Sequence, residues 1–361
     1  MALHDYLKRI VEQRETLSRS EARTLLEEVL ASNIEAATPG SPHSIQLAAL
    51  LGAITARGET AAELAGFVDA MRAAATPIPL DKAERSLLTD TCGTGGDASG
   101  TFNISTAAAL VAAAAGATVA KHGNRAVTSK CGSAAVREAL GIPVALSPDA
   151  AAAALRTHRF VFLHAPTLHP AMKAVMPVRR ALGVRTVFNV LGPLTNPAGA
   201  RAQIMGVYSA HLVPVVAEAM RLLDVRHAFV VHGGSGFANG MDELSISGPS
   251  QIAEVRGGEI TFSQITPEEV GLASAPIAAL RGGHDAAANA EILRAFFAGE
   301  PGPRRDVVLF NAAAVLITAG LVQGSIPDRG EAFRAGIELA AAAIDSGAVT
   351  ALVAALAHTE P

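Results

Sequence analysis

The chain has 361 residues, 50% of them hydrophobic and 4% aromatic, and a formal net charge of −4 at pH 7. This length allows more than one hydrophobic core, and the charge disfavours non-specific binding to nucleic acid or an anionic membrane, so any anion site must be local. The N-terminus lacks the apolar core of a signal peptide, the longest mostly apolar stretch (107–120) is too short to span a bilayer, and Cys92 and Cys131 are expected to be free thiols of a cytoplasmic protein.

Residues 3–73 show helical apolar spacing almost throughout. The segment 17–21 offers an N-cap for a second helix. Ser41-Pro42 begins a third helix, with proline in its first turn, and Glu59-Thr60 begins a fourth. The two prolines of TPIPL, at 76–80, predict a linker. A small helical domain is therefore expected over 1–76.

After the linker, short β-prone runs alternate with helical ones. Strands are predicted at 117–123, 159–165, 186–193, 202–209, 227–234 and 307–313, with helices at 133–141, 149–158, 211–224 and 286–299. This alternation predicts a mostly parallel sheet with helices on both faces. The fold class is thus α/β, with a small all-helical domain beside a large α/β domain.

A proline-interrupted helical stretch, 169–185, is expected to leave the sheet and pack on the N-terminal helices. The domain limits are accordingly 1–76, joined by a helical segment of about 169–190, and then 81–168 together with 191–361.

A glycine-rich loop, DTCGTGGDASGTFNIST, occupies 90–106 and leads into an alanine-rich helical run. Glycines let backbone N–H groups approach an anion, and a helix start near Ser105 and Thr106 would add further free N–H groups. The alternative is a structural turn followed by a capped core helix. Two other phosphate motifs are excluded, because no helix is expected to start through 96–100 as a dinucleotide fingerprint needs, and the chain has no P-loop sequence.

The segment KHGNRAVTSKCGS, at 121–133, follows a predicted strand and is rich in cations and hydroxyl groups. From Ala98 to Arg137 there is no Asp or Glu, although Lys121, Arg125, Lys130 and Arg137 lie in that stretch. Such donors suit phosphate groups. If the two loops leave neighbouring strands, they meet where α/β sheets bind ligands; the alternative is a solvated basic loop.

The pair Asp242-Glu243 lies in a second glycine-rich loop, GGSGFANGMDEL. Adjacent carboxylates are hard oxygen ligands that suit a Mg²⁺ ion which also holds a polyphosphate. Alone, such a pair is usually an exposed pair of side chains that binds no ligand; opposite a phosphate site it predicts a metal site.

Several long motifs occur together: TFNIST, VAKHGNRAVTSKCGSA, HPAMKAVMPVRRALGVRTVFNVLGPLTNPA, MDELSISGP and, in the helical region, GAITARGET. In these motifs and their order, nearly the whole chain resembles the anthranilate phosphoribosyltransferases of tryptophan biosynthesis. The resemblance implies transfer of the phosphoribosyl group of phosphoribosyl pyrophosphate (PRPP) to the amine of anthranilate, which is the second step of the tryptophan branch. It implies Mg²⁺, two ions per active site, and a homodimer formed through the helical domain, with neither nucleic acid nor a membrane as a partner.

The resemblance also implies roles for individual residues. Those expected to bind PRPP are Gly93, Gly96, Asp97, Thr101, Asn103, Ile104, Ser105, Thr106, Lys121, His122, Gly123, Asn124, Arg125, Ala126, Val127, Thr128, Ser129 and Ser133. Anthranilate is expected at Gly93, Asn124 and Arg179, with Arg179 pairing with its carboxylate, and the metal ions at Ser105, Asp242 and Glu243. No catalytic base is assigned, because the arylamine is already neutral at pH 7.

The chain departs from the family pattern at three places. The loop GSGFANG before Met241 is longer than usual, Ala98 replaces a frequent glycine, and His164 stands where an apolar residue is more common. Two other functions stay open from sequence: a pyrimidine nucleoside phosphorylase of similar architecture, and a non-catalytic relative that binds nucleic acid. The KHGNR loop and the pair Asp242-Glu243 disfavour the phosphorylase, and the intact KHGNR loop with the negative net charge disfavours the nucleic-acid binder.

Overall fold

The computed structural model describes residues 2–32, 38, 40–124, 133–235, 240–322 and 329–359. The N-terminal region forms α1 (Leu3–Glu12), α2 (Arg19–Ala31), α3 (Pro42–Arg57) and α4 (Ala61–Ala73), as the apolar spacing predicts. Side-chain hydroxyls of Ser18, Ser41 and Thr60 accept backbone N–H bonds at the starts of α2, α3 and α4. Residues 76–80 form neither helix nor strand, which confirms the predicted linker.

The rest of the described chain alternates strands and helices. The strands are β1 (Leu88–Asp90), β2 (Thr118–Gly123), β3 (Phe160–His164), β4 (Ala202–Gly206), β5 (His227–Gly233), β6 (Ser250–Arg256) and β7 (Glu259–Ile265). The helices are α5 (Lys82–Leu87), α6 (Ile104–Ala114), α7 (Ser133–Ala139), α8 (Pro148–His158), α9 (Ala165–Leu168), α10 (Met176–Leu182), α11 (Val187–Leu194), α12 (Leu212–Leu222), α13 (Ala286–Phe297), α14 (Pro303–Ala319), α15 (Arg329–Asp345) and α16 (Ala348–Leu356), with 3₁₀ turns at Pro170–Ala174, Glu268–Val270 and Ile277–Leu280.

No single helix of the described residues combines the length and the apolar character needed to cross a bilayer; α15 and α16 satisfy the length and composition test only as a pair, bent by 66°.

The strands form one seven-stranded sheet in the order β3-β2-β1-β4-β5-β6-β7. β1 to β5 pair in parallel, whereas β6 and β7 are antiparallel additions at one edge. The predicted mostly parallel α/β sheet is therefore confirmed. The chain runs outward from β1 in one direction to β2 and β3 and later in the other direction to β4 and β5, so the carboxyl ends of β1 and β4 flank a switch point, where open α/β sheets bind ligands.

Two predicted strands are wrong. Residues 186–193 belong to α11, and residues 307–313 lie inside α14. Both helices are buried on several sides, and a short, fully apolar run has the same pattern in a buried helix as in a buried strand. The hairpin of β6 and β7 was missed, although Gly257-Gly258 between two alternating runs is a turn signal.

The stretch after β3 packs on the N-terminal helices, as its pattern predicts. α10 contacts α3, and the 3₁₀ turn Pro170–Ala174 contacts α2. Val175 and Val178 share one apolar cluster with the N-terminal helices, with α12 and with one face of β4 to β6. The helical region is therefore fixed to the sheet by a continuous core.

Gly66 is where α4 approaches α2. A Cβ at Gly66 would overlap the carbonyl oxygen of Arg19 and lie 2.9 Å from the Cβ of Ala22. We therefore expect Gly66→Ala to lower the free energy of unfolding by about 1–3 kcal/mol through overpacking. Gly52→Ala in α3 is the matched control, because a Cβ there meets nothing within 4 Å; it should stabilise by about 0.5–1 kcal/mol. Urea unfolding measures both, and equal effects would contradict the packing argument.

Candidate active site

The glycine loop after β1 is bound to the end of β4 and to the segment at Asp242. The N–H of Thr94 donates to the Gly206 carbonyl at 2.9 Å, and the N–H of Gly95 donates to Oδ2 of Asp242 at 2.6 Å. A Cβ at Gly93 would lie 2.8 Å from Oδ2 of Asp242, and a Cβ at Gly206 would overlap the Asp242 carbonyl. Glycine at these positions lets the loop after β1, the end of β4 and the segment at Asp242 meet at the switch point.

Lys121 ties the same region to the start of α6. Its side chain is 3% exposed, and its Nζ donates to the carbonyl and the hydroxyl of Thr91, both at 2.9 Å, and to Oγ of Ser105 at 3.2 Å. Ser105 lies in the first turn of α6, a part of a helix that favours negative groups, and its N–H donates to the carboxylate of Glu243. Burial lowers the pKa of Lys121. A buried ammonium held by neutral oxygens, at a helix start, is suited to a phosphate.

The carboxylates face this cation across the loop. Oε1 of Glu243 accepts from the Ser105 N–H at 3.1 Å, and the N–H of Asp242 donates to Oδ2 of Asp97 at 3.2 Å. Burial raises the pKa of Asp242 to about 7, and the charge of Asp97 adds to the effect. Burial, together with the charge of Asp242, raises the pKa of Glu243. Crowded, desolvated carboxylates of this kind are relieved by a cation.

The donor set fits a magnesium ion. Asp242, Glu243 and the Ser105 hydroxyl offer hard oxygen atoms around one loop. Within the described residues, no group of three or more His, Cys, Asp or Glu side chains forms a complete metal site. Mg²⁺ is commonly held by one or two carboxylates together with substrate phosphates and water, and Asp242 and Glu243 supply two such carboxylates.

A buried polar network sets the ends of β1 and β2. Oδ1 of Asp90 accepts from the N–H groups of Thr91 at 2.7 Å and His122 at 3.0 Å, while Oδ2 accepts from Nδ2 of Asn196 at 2.8 Å. Burial raises the pKa of Asp90 to about 6. The Asn196 amide also donates to the Ala120 carbonyl at 2.7 Å. The network fixes the backbone that carries Lys121 and His122.

A second group of side chains lies on the α11 side of β2. Nδ1 of the buried His122 lies 2.9 Å from the Gly192 carbonyl, and its ring centroid is 5.1 Å from that of His169. Burial lowers the pKa of His122 to about 3. Arg179, in α10, has its guanidinium 5.2 Å from the centroid of the Phe188 ring, and burial lowers its pKa. The group combines neutral rings with one desolvated cation, which suits an aromatic carboxylate.

The remaining predicted residues lie at several different places in the structure. The Thr101 backbone bridges to Arg281, and the side chains of Ile104 and Thr106 are buried in the helix core. Gly96 follows Gly95 in the loop, and Asn103 occupies the N-cap position of α6. Gly123 ends β2 and Asn124 follows it, and the Ser133 hydroxyl donates to the Asn124 carbonyl at 3.2 Å. The predictions at Arg125, Ala126, Val127, Thr128 and Ser129 lie outside the described residues.

Residues missed from sequence complete the site. Thr91 holds the Lys121 ammonium, Asp90 and Asn196 form the network beneath it, and Nη1 of Arg185 donates to the Gly96 carbonyl at 2.8 Å. Only the placement of Asp90-Thr91 directly before the glycine loop, and of Asn196 in a conspicuous Asn-Pro turn, could have signalled them.

Two of the departures from the family pattern are visible. Ala98 has a φ of 61°, a left-handed conformation that favours glycine, so this replacement carries backbone strain. Nδ1 of His164 lies 3.1 Å from the Thr167 hydroxyl, at the end of β3. The lengthened loop falls partly on residues 236–239, outside the described part of the chain.

Comparison with known proteins agrees with the fold and extends it. Two family models match, the helical bundle domain of a glycosyl transferase family over residues 4–75 and its α/β domain over 85–350. Anthranilate phosphoribosyltransferases of Solibacter usitatus and Chloroflexus aggregans are 47% and 48% identical, over 99% and 96% of this chain and 98% and 95% of their own.

Solved structures of such enzymes are also similar. That from Thermus thermophilus has a TM-score of 0.85 at 41% identity and covers 98% of both chains. That from Saccharomyces cerevisiae in complex with PRPP and Mg has a TM-score of 0.86 at 27% identity, covering 99% of this chain and 97% of its own.

Because Asp242 and Glu243 are the acidic donors of the candidate metal site, Asp242→Asn/Glu243→Gln should raise the Mg²⁺ concentration for half-maximal activity about tenfold or more. The matched control is Glu268→Gln/Glu269→Gln, an adjacent and exposed pair of carboxylates. Activity is titrated with Mg²⁺ at saturating substrate. An unchanged midpoint in the first variant would assign the metal to other ligands.

His122 should not titrate in the assay range, because burial lowers its pKa to about 3, far below the ordinary value of 6.5. The imidazole is then neutral on both sides of that ordinary value, so it contributes no ionisation to catalysis. Profiles of kcat/KM against pH from about 6 to 8 should run parallel for the wild type and His122→Asn. A limb near pH 6.5 that disappears in the variant would show that His122 titrates there.

Proposed function

We propose that this chain, which belongs to the anthranilate phosphoribosyltransferase family, transfers the phosphoribosyl group of PRPP to the amine of anthranilate, giving N-(5-phosphoribosyl)anthranilate and pyrophosphate. The observation that carries the proposal is the meeting of the glycine loop, the buried Lys121 and the pair Asp242-Glu243 at the switch point of the sheet. The family and the whole-length relatives support it.

At the PRPP end, three devices act on negative charge. The Lys121 ammonium, the first turn of α6 and the backbone of the glycine loop are all fixed before substrate arrives. Gly93, Gly96, Asp97 and Thr101 hold the ribose and pyrophosphate part. The residues that hold phosphate oxygens are Asn103, Ser105, Thr106 and Lys121, assisted by Ser129 and Ser133. This preorganisation stabilises the charge that develops on the leaving pyrophosphate.

The metal part of the proposal assigns Mg²⁺, two ions per active site, to Asp242, Glu243 and the Ser105 hydroxyl. Bound Mg²⁺ neutralises the pyrophosphate and supports its departure. The structures of the yeast enzyme with PRPP and Mg and with Mg bound support the use of this metal. The raised pKa of Asp242 and of Glu243 is the electrostatic counterpart: these carboxylates are buried close together, and a bound cation would favour their charged forms.

At the acceptor end, Arg179 pairs with the anthranilate carboxylate, and Asn124 and Gly93 orient the ring. Burial leaves the Arg179 guanidinium with few water partners, which strengthens a pair with a carboxylate. The amine attacks C1 of the ribose as the C1–O bond to pyrophosphate breaks, and the amine proton is lost afterwards to solvent. Since the nucleophile is neutral and the sugar passes through an oxocarbenium-like state, positioning replaces a catalytic base.

The proposal extends to assembly and place. The helical part, 1–76 with 169–190, and the α/β part, 81–168 with 191–361, form two domains with catalysis in the cleft between them. Val11 in α1 and Ile45 in α3 are 53% and 60% exposed, and these apolar side chains support a homodimer through the helical domain. Light scattering should give about twice the mass of one 36.8 kDa chain; a monomer mass would remove the dimer. The free thiol of Cys92 supports a cytoplasmic location.

The direct test is the loss of anthranilate fluorescence on mixing the protein with PRPP and Mg²⁺. Loss that requires protein, PRPP and Mg²⁺ together establishes the transferase. If anthranilate fluorescence does not fall although the protein binds PRPP, the same site takes a different acceptor. Phosphorolysis of a pyrimidine nucleoside, assayed in parallel, would instead support the phosphorylase reading.

Lys121 and Arg179 are expected to serve opposite substrates. Lys121→Met keeps the length of the side chain and removes its charge, so the KM for PRPP should rise about tenfold or more while the KM for anthranilate changes little. Arg179→Ala should do the reverse. Each variant is the control for the other in steady-state kinetics. A rise in both KM values in either variant would place that residue in the general packing of the site rather than at one substrate.

A further inference from the structure

Arg137, in α7, is a fully buried guanidinium without a counter-ion in the described part of the chain. Its side chain is 0% exposed, and its Nε donates to the Ser133 carbonyl at 3.0 Å. Nη1 and Nη2 have no hydrogen-bond partner among the described residues, and burial lowers the pKa of the group. The acidic charge that acts on it is that of the exposed Glu138. Leaving a buried cation unpaired is costly, so a site of this kind calls for an anion.

The guanidinium lies on the same face of the sheet as Lys121. It is placed over the ring of Phe162, and Phe162 is the register partner of Lys121 in the parallel pair of β3 and β2. Its charge is close enough that, after burial, it is among the groups that lower the pKa of Lys121. Two buried cations therefore lie side by side, and a ring face compensates one of them.

The side chain also turns toward the end of β2. The bond from Nε to Ser133, one helical turn back, directs the guanidinium to the N-terminal end of α7. There the Ser133 hydroxyl meets the carbonyl of Asn124, directly after β2, and a Cβ at Gly123 would lie 3.3 Å from the same hydroxyl. Arg137 is thus linked through Ser133 to the backbone at the end of β2 that the proposed PRPP site uses. It is also the last residue of the acid-free stretch that begins at Ala98.

We propose that Arg137 is a further phosphate-binding residue of the PRPP site, its free Nη groups pairing with a phosphate group of PRPP beside Lys121. The inference rests on the proposed function, because it names an additional ligand of the same substrate. It explains why the chain keeps a buried charge whose Nη groups, with four N–H donors, are unpaired within the described residues: the partner arrives with the substrate.

The test compares Arg137→Met, which removes the charge at similar length, with Arg137→Lys, which keeps it. Arg256→Met is the control for loss of an exposed arginine. The Kd of PRPP with Mg²⁺ is measured by calorimetry, and the Tm of the protein without ligand by scanning. Arg137→Met should weaken PRPP about tenfold or more, with the KM for anthranilate unchanged and the ligand-free Tm equal or higher. Arg137→Lys should stay within about threefold of the wild type.

An Arg137→Met protein that binds PRPP as the wild type does would overturn the inference. So would a lower ligand-free Tm accompanied by equal PRPP weakening in the methionine and lysine variants, since that pattern describes a packing role. If Arg137→Met does not fold, Arg137→Gln carries the same expectation and the same contrary results. A wild type that fails to bind PRPP or to consume anthranilate sinks the proposed function itself, which separates the two failures.

Discussion

The buried ammonium of Lys121 is the interaction on which the candidate site depends. It joins three pieces of chain that are distant in sequence: Thr91 at the end of β1, the strand β2 that carries it, and Ser105 at the start of α6. An ammonium enclosed this way is expensive unless its donors are satisfied, and here neutral oxygens satisfy them without cancelling the charge. The positive field therefore remains available to a ligand. Replacing those oxygens by a carboxylate would have made a structural salt bridge and closed the site to phosphate.

A close approach between the Asp242 segment and the loop after β1 positions the acidic side chains of the site. Gly93 and Gly206 allow the Asp242 backbone and carboxylate to lie against the loop after β1, where a Cβ would collide. This brings Asp97, Asp242 and Glu243 together, and their mutual repulsion adds to burial in raising the pKa of Asp242 and Glu243. Ser105 connects them to the buried cation, since its N–H donates to Glu243 and its hydroxyl accepts from Lys121. The acidic donors and the ammonium are therefore neighbours, which suits a ligand that carries both phosphate groups and a bound Mg²⁺ ion.

The sequence predicts these loops better than it predicts the elements between them. Glycines, the acid-free stretch and the pair Asp242-Glu243 predict a phosphate site, because each limits the local backbone conformation or the local charge. The strands predicted at 186–193 and 307–313 failed because a buried helix and a buried strand are equally apolar, and only tertiary packing decides between them. Thr91, Asp90 and Asn196 were not predicted, because their roles come from hydrogen bonds between segments that are distant in the sequence, and no local pattern shows such bonds.

Stability and function are in tension along β2. The strand buries Lys121 and a neutral His122. The ring of Phe162, in the neighbouring strand β3, is buried under the guanidinium of Arg137, and burial raises the pKa of the nearby Asp90 carboxyl. An apolar strand of the same length would fold with less cost. The free-energy cost of burying these polar and charged groups is offset when a ligand binds them, and a ligand with several phosphate charges can do so. In the proposed PRPP site, the phosphate groups of the substrate meet the buried positive charges of Lys121 and Arg137 and offset part of the cost of burying them.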